Sequence, residues 1–148
     1  MTSVIDDPYL MEQEQVIDTL NDIMAAAAAK DFDRLAAHHL EGPKFTKFDD
    51  FAPLDRQDAG IARQCEEDGL GGVENFAYDL KDLQVDVFGP VAVATFVFHY
   101  AFDAEGDHVG LRARTTMVFV ATGRTWKIAH EHLSPFVGNG RRERPEAL

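Results

Sequence analysis

The spacing of apolar residues changes its period once along the chain. In the first part, apolar residues recur every three or four positions, as Val16, Leu20, Ile23 and Ala27 do. From Leu83 onward they alternate with polar residues or fill whole runs, as in β-strands. Helices followed by consecutive antiparallel strands predict an α+β domain, with the helices packed on one face of a curved sheet.

Turn and capping residues divide the helical part into segments. Asp7 and Pro8 have the sequence of an N-cap and first turn, and Asp31 is placed to cap a short second helix. A weaker third helix is expected over about residues 58–67. Between them, residues 43–57, "PKFTKFDDFAPLDRQ", mix phenylalanines, charges and prolines. This composition predicts an irregular loop folded over an apolar surface.

Four strands are expected, at about 82–87, 91–102, 111–121 and 126–134. The second, "VAVATFVFHYAF", is apolar on both faces, which is typical of a central strand. Its outward face needs cover that one chain of this length does not supply. A second subunit is the simplest source of that cover, so we predict a homodimer.

Length and charge restrict the classes of protein. With 148 residues we expect a single domain at 1–136, followed by a flexible tail at 137–148 that lacks anchoring apolar residues. The formal net charge of −12 repels phosphates, so we expect no nucleic-acid partner and no membrane partner. Cys65 is the only cysteine, which excludes an internal disulfide. The sequence has no secretory leader pattern and no long apolar run, so a cytoplasmic location is expected.

Five segments resemble the SnoaL-like branch of the nuclear-transport-factor-2-like (NTF2-like) superfamily, and they span about residues 10–136. They are "AAKDFDRLAAHH", "KFTKFDDFAPLDR", "GPVAVATFVFHYAF", "RTTMVF" and "WKIAHEHLS". The last is similar to the association domain of calmodulin-dependent kinase. The resemblance implies the cone-shaped α+β fold of ketosteroid isomerases, polyketide cyclases and dehydratases. That fold hosts many unrelated activities.

Only some of the catalytic residues of the resembled families have a counterpart in this sequence. Ketosteroid isomerases use a helix tyrosine, a loop acid and a late strand acid, and the first and third positions fall near Ile23 and Thr116. Only the loop carries acids here, Asp49 and Asp50, so steroid isomerase chemistry is not expected. The dehydratases have a strand histidine as base, a part that His99 can play, although no acid clearly matches its partner.

The last hairpin predicts a charged pair. With Gly123 and Arg124 at its tip, Arg114 lies opposite Leu133, and Arg114 and Glu131 share one face. A single β-bulge would exchange the faces. The two residues then form either a structural ion pair or a site where Arg114 binds a carboxylate or enolate oxygen held in place by Glu131.

The histidines offer a second possibility. His130 and His132 point to one side of a strand and can bind a transition metal if a third ligand such as His99 joins them. The ligand count is incomplete, so we predict no metal and no cofactor and favour histidines at a subunit interface. His38 and His39 are interpreted as surface or hairpin residues.

Two functions of different class remain open. The first is a small-molecule-binding domain, and if it is an enzyme it is a cofactor-independent isomerase, dehydratase or cyclase, thus an isomerase or lyase, acting by proton transfer on a hydrophobic substrate. Its catalytic residues would be His99 and Glu131, and its ligand-binding residues Arg114, Tyr100, His130, His132, Tyr78 and Phe48. The alternative is a non-catalytic dimerisation scaffold in which the same residues serve only structure.

Overall fold

The computed structural model describes residues 3–136, and within them the chain forms three helices and five strands. The helices are α1 (Leu10–Ala29), α2 (Phe32–Ala36) and α3 (Ala59–Gly71). The strands are β1 (Thr46–Phe48), β2 (Glu74–Phe88), β3 (Val91–Ala104), β4 (Asp107–Thr122) and β5 (Thr125–Pro135). The α+β class expected from the sequence is confirmed. The tail predicted at 137–148 lies outside the described residues.

Local side chains fix where the helices begin. The Asp31 carboxylate accepts from the Arg34 backbone N–H at 3.2 Å and caps α2 as predicted. Asp58 caps α3 in the same way. The prediction for α1 was wrong by two residues, because Asp7 accepts from the Tyr9 N–H at 2.8 Å and holds a turn ahead of the helix.

The sheet has the order β1-β5-β4-β3-β2. Neighbouring strands are antiparallel except β1, which pairs in parallel with β5 at the edge. β3 is an interior strand, as its two apolar faces predicted. β1 lies inside the segment expected to be irregular, so that prediction was wrong for residues 46–48. Three residues are too few to show the alternation by which a strand is recognised.

A β-bulge sets the register of the last hairpin. Thr122 pairs with Thr125 around the predicted tip, but Phe119 lies opposite Ile128 and Val118 opposite His130, which leaves one extra residue in β5. Beyond the bulge, the predicted pairing was therefore wrong by one position. All side chains of β5 after the bulge consequently point to the opposite face from the one predicted.

The helices cover one face of the sheet, here called the inner face, and the opposite face is called the outer face. The inner face and the helices enclose the core, in which the largest fully buried side chains are Phe45, Phe119, Leu20, Met117 and Ile128. The Trp126 indole N–H donates to Gln15 Oε1 at 3.2 Å and joins β5 to α1. None of the helices within residues 3–136 is long and apolar enough to cross a membrane.

Candidate functional site

A group of ionisable side chains lies buried on the inner face, between β1, β5 and α3. We call it the polar cluster, and its members are His39, Lys47, Asp49, Glu66 and Glu131. β1 supplies the lysine and β5 a glutamate, because Lys47 and Glu131 are register partners in the parallel pair. Charged side chains are rarely buried without partners, so this cluster is the first candidate for a functional site.

Lys47 is the centre of the polar cluster. Its ammonium lies 3.1 Å from Glu66 Oε2, 3.6 Å from Glu131 Oε2 and 3.7 Å from Asp49 Oδ2. The Lys47 side chain is only 5% exposed. A single cation therefore neutralises parts of three carboxylates in a place that water hardly reaches.

His39 closes the other side of the polar cluster. Its ring stacks on Phe45 with centroids 4.5 Å apart, and its Nε2 faces Glu66 Oε1 at 3.5 Å. Among the described residues that nitrogen has no hydrogen-bond partner. His39 is 4% exposed, so its interpretation as a surface or hairpin residue was wrong. Its partly exposed neighbour His38 pairs with Asp22 instead.

Burial and charge compete at each ionised group of the polar cluster. Burial opposes the charge of Lys47, but the carboxylates of Glu131, Glu66 and Asp49 outweigh it and raise the pKa of the ammonium. Burial raises the pKa of Glu131, and Lys47 offsets only part of that effect. At Glu66 burial is outweighed by Lys47 and His39, which lower its pKa. Glu131 thus takes up a proton more readily than Glu66 does.

A further carboxyl, that of Asp50, lies next to the polar cluster on its solvent side. Asp50 follows Asp49 in the loop after β1, and its Oδ2 accepts from the Tyr100 hydroxyl at 2.6 Å. Burial, together with the neighbouring Asp49, raises the pKa of Asp50 to about 7, although the hydrogen bond from Tyr100 acts in the opposite direction. Asp50 is half-buried, so one side of the pair is open. A carboxyl with such a pKa can accept or donate a proton near neutral pH.

Aromatic rings continue from Tyr100 along the inner face, and we call them the aromatic wall. Tyr100 stacks on Phe98 with ring centroids 4.7 Å apart, and the ring centroid of Phe76 lies 6.2 Å from that of Tyr100. Tyr78, directly opposite Tyr100 on β2, is 38% exposed and ends the wall at the surface. Together they form an apolar surface beside one titratable group, which is the usual composition of a small-molecule site.

The structure divides the predicted site residues between the two faces. Glu131, Tyr100 and Tyr78 lie on the inner face. The outer face carries the other five, which are His99, Arg114, His130, His132 and Phe48. A single pocket between helices and sheet that uses Glu131, Tyr100, His99 and Arg114 together is therefore not formed.

The predicted pairing of Arg114 with Glu131 was wrong because of the bulge. Arg114 lies opposite Ser134 and Glu131 opposite Met117, which puts the two charges on different faces. The guanidinium carbon of Arg114 instead lies 4.3 Å from the centroid of the Phe136 ring. On the inner face, the counter-charge of Glu131 is Lys47, a partner that the hairpin alone does not reveal.

His130 and His132 do share one side of β5, as predicted. Their ring centroids are 6.2 Å apart, and both rings contact Phe48. Burial lowers the pKa of His130, as does the neighbouring imidazole. His99 does not join them, because it lies on β3 opposite Arg112, with β4 between.

Two shallow hollows lie on the outer face. One, of about 400 Å³, is bordered by Arg114, His132 and the hydroxyls of Thr95, Thr116 and Ser134. The other, of about 450 Å³, surrounds His99 and Arg112. Of the outer-face residues predicted from sequence, Arg114 and His132 line the first hollow and His99 lines the second, which Tyr78 and Tyr100 also border.

Sequence reasoning missed most of the polar cluster. Glu66 gave no signal, because it is a single charged residue in a segment where surface charges are common, and Lys47 was not singled out. Asp49 and Asp50 were recognised only through the loop acids of the isomerases. An earlier signal was available in the loop, where Lys47 and two acids alternate with phenylalanines, a composition that favours charges held against an apolar surface.

The comparisons with known proteins agree with this architecture. Residues 16–138 match the family model of the SnoaL-like domain. No curated protein sequence matches the chain. Similar solved structures include a proposed dehydratase of the NTF2-like family from Streptomyces avermitilis, with a TM-score of 0.77 and 22% identity over 86% of this chain and 97% of that one.

Two further structures illustrate the range of the fold. A proposed scytalone dehydratase from Novosphingobium aromaticivorans has a TM-score of 0.77 and 15% identity over 88% of both chains. A proposed calcium/calmodulin-dependent protein kinase II association domain from Xanthomonas campestris has a TM-score of 0.72 and 18% identity, covering 82% of this chain and 86% of that one. At these identities the likeness shows the fold, and it confirms the NTF2-like cone expected from the sequence. With the family model covering most of its length, the chain belongs to the SnoaL-like domain family.

Proposed function

We propose that this chain binds a small hydrophobic molecule against the aromatic wall and transfers a proton through Asp50, as a cofactor-independent isomerase, dehydratase or cyclase. The observation that carries the proposal is the hydrogen bond from the Tyr100 hydroxyl to Asp50 Oδ2 at 2.6 Å, at the end of a row of aromatic rings. The neighbouring structures named as proposed dehydratases support the same class of chemistry.

The roles follow from the contacts. Asp50 is half-buried and is the base, since a carboxyl near neutral pKa balances readiness to accept a proton against readiness to release it. Tyr100 is a positioning residue, because its hydroxyl donates to one oxygen of the Asp50 carboxyl and fixes the orientation of that carboxyl beside the aromatic wall. Lys47 and Glu131 lie behind Asp49 and hold the loop in place from the buried side.

The substrate class follows from the surroundings of Asp50. The aromatic wall is apolar and reaches the surface at Tyr78, and the next loop residue after Asp50, Phe51, is 49% exposed. A carboxylate base beside such a surface suits removal of a proton from carbon next to a carbonyl in a hydrophobic molecule. Such general base catalysis contributes about a hundred- to ten-thousand-fold to the rate.

The test is proton exchange in heavy water. Hydrophobic enones and aromatic ketones are incubated with the protein, and deuterium uptake next to the carbonyl is followed by NMR. We expect the wild type to catalyse exchange and Asp50→Asn to lose it. His99→Ala, which changes the other base predicted from the sequence, lies on the outer face and should retain it.

The same experiment can contradict the proposal in two ways. Exchange that survives Asp50→Asn but is lost in His99→Ala would assign the base to His99 on the outer face. Compounds that bind are recognised because they raise the melting temperature of the wild type. If the wild type catalyses exchange of none of them, the protein is a binding domain without this chemistry.

A dimerisation scaffold is the second candidate, and one observation favours it. Four apolar residues of β3 lie half-buried on the outer face, Val91, Val93, Val97 and Ala101. The structures named as kinase association domains add support. We propose a homodimer through this face, in a cytoplasmic protein. Light scattering at micromolar concentration should give twice 16.5 kDa, and a monomer mass would contradict the dimer.

A further inference from the structure

The polar cluster contains a set of ligand atoms that the proposed proton transfer does not use. One nitrogen of His39 and one carboxylate oxygen each from Glu66 and Glu131 lie within 4.8 Å of one another. The three come from different parts of the chain, namely the turn after α2, α3 and β5. We propose that these residues bind one divalent transition-metal ion at the base of the cone.

The strongest sign of a ligand is the unused nitrogen of His39. Its Nε2 is buried, has no hydrogen-bond partner among residues 3–136, and faces Glu66 Oε1 at 3.5 Å. That contact is too long for a good hydrogen bond. Two ligands each about 2.1 Å from a tetrahedral zinc ion lie roughly 3.4 Å apart, which matches the observed separation.

The two oxygens of Glu66 have separate tasks. Lys47 is 3.1 Å from Oε2, whereas His39 faces Oε1. A metal ion bound to Oε1 therefore leaves the hydrogen bond between Lys47 and Oε2 in place. The ammonium then acts as an outer partner that orients the ligating carboxylate, a common arrangement around protein metal sites.

The charge balance of the polar cluster fits a dication. One ammonium, that of Lys47, faces three carboxylates, which leaves two negative charges in a buried place. A divalent ion would neutralise them. One imidazole and two carboxylates suit zinc and its first-row neighbours better than calcium or magnesium.

Zinc titration of the chelator-treated protein tests the site. Isothermal calorimetry with ZnCl2 is run on the wild type, on His39→Gln and on Glu131→Gln. The matched control is the double variant His130→Gln with His132→Gln, which removes the other close pair of histidines. We expect one buried zinc ion per chain, with affinity lowered more than about tenfold in His39→Gln and Glu131→Gln and unchanged in the control.

Lys47→Met separates a metal site from a structural ion pair. Removing the ammonium takes away the outer partner that orients Glu66, so zinc affinity should fall about tenfold or more, whereas a purely structural role of Lys47 predicts no change in affinity. If Lys47→Met does not fold, Glu131→Gln carries the test. The proposal is overturned if the wild type binds no zinc, or if binding is lost in the histidine control and kept in Glu131→Gln.

Discussion

The Tyr100 hydroxyl donates to Asp50 Oδ2 at 2.6 Å and so joins β3 to the loop after β1 across 50 positions of sequence. The contact brings a phenol from the inner face of the sheet to a carboxyl at the edge of a buried charged cluster. Since Asp50 is also the carboxyl whose pKa lies at about 7, this pair connects the fold to proton-transfer chemistry.

Removing the Tyr100 hydroxyl should destabilise the protein without changing its shape. Tyr100→Phe keeps the ring stacked on Phe98 but leaves the Asp50 carboxylate without its donor. Above about pH 8 we expect a loss of about 1.5–3 kcal/mol in the free energy of unfolding, measured with urea. Tyr78→Phe, at an exposed position, is the control and should change less than about 0.5 kcal/mol.

The stability of Asp50→Asn should depend on pH differently from that of the wild type. Asp50 binds its proton more tightly in the folded chain, where its pKa is about 7, than in the unfolded chain, where it is 3.8. Between these values the folded state holds more protons, so this group lowers the stability as pH rises. The free energy of unfolding of the variant minus that of the wild type should therefore increase from about pH 4 to pH 7 and then level off. A flat difference would show that Asp50 is an ordinary carboxyl.

Breaking the polar cluster from its cationic side should be costly. Lys47→Met leaves Glu66, Glu131 and Asp49 buried without their counter-charge, and such a loss costs about 3–5 kcal/mol. The comparison is Lys81→Met, which removes an exposed ion pair with Asp79 and should cost much less, because solvent screens that pair. Equal losses in thermal or urea denaturation would contradict the burial of the cluster.

A surface pair should respond to acid in the opposite direction to Asp50. Hydrogen bonds from Arg34 and His38 lower the pKa of Asp22 to about 2. The stabilising effect of Asp22 is present above pH 3.8, which is the pKa of this carboxyl in the unfolded chain. It is lost as the pH falls toward 2. The side chains of Asp22 and Arg34 are both 41% exposed, so Asp22→Asn should cost less than about 1 kcal/mol at neutral pH. A larger loss would mean that the pair is shielded from solvent.

The elements of the fold could be predicted because their signals are local. The change from helical to alternating spacing and the cap at Asp31 each depend on residues a few positions apart. The register of the last hairpin could not be predicted, because no residue type near Val118 indicates a bulge. That single extra residue exchanged the faces and separated Arg114 from Glu131.

The polar cluster could be predicted only in part because its contacts are distant in sequence. Glu131 was recognised as an unusual charge on a strand, but its partner Lys47 comes from a three-residue strand that the pattern does not reveal. His39 looked like a surface residue because it follows a short polar helix. Its burial results from β1 and α3 folding over it, which is a property of the tertiary structure.

The most direct test of the proposed site is the titration of the Asp50 carboxyl itself. Carbon-13 NMR of labelled aspartate side chains, assigned with Asp50→Asn, follows that carboxyl from about pH 3 to pH 9. We predict a midpoint near 7 for Asp50, the value expected for a proton-transfer group whose pKa is raised by burial and by the neighbouring Asp49. A midpoint near its ordinary value of 3.8 would contradict the account, because Asp50 would then be permanently ionised and unsuited to exchange protons at neutral pH.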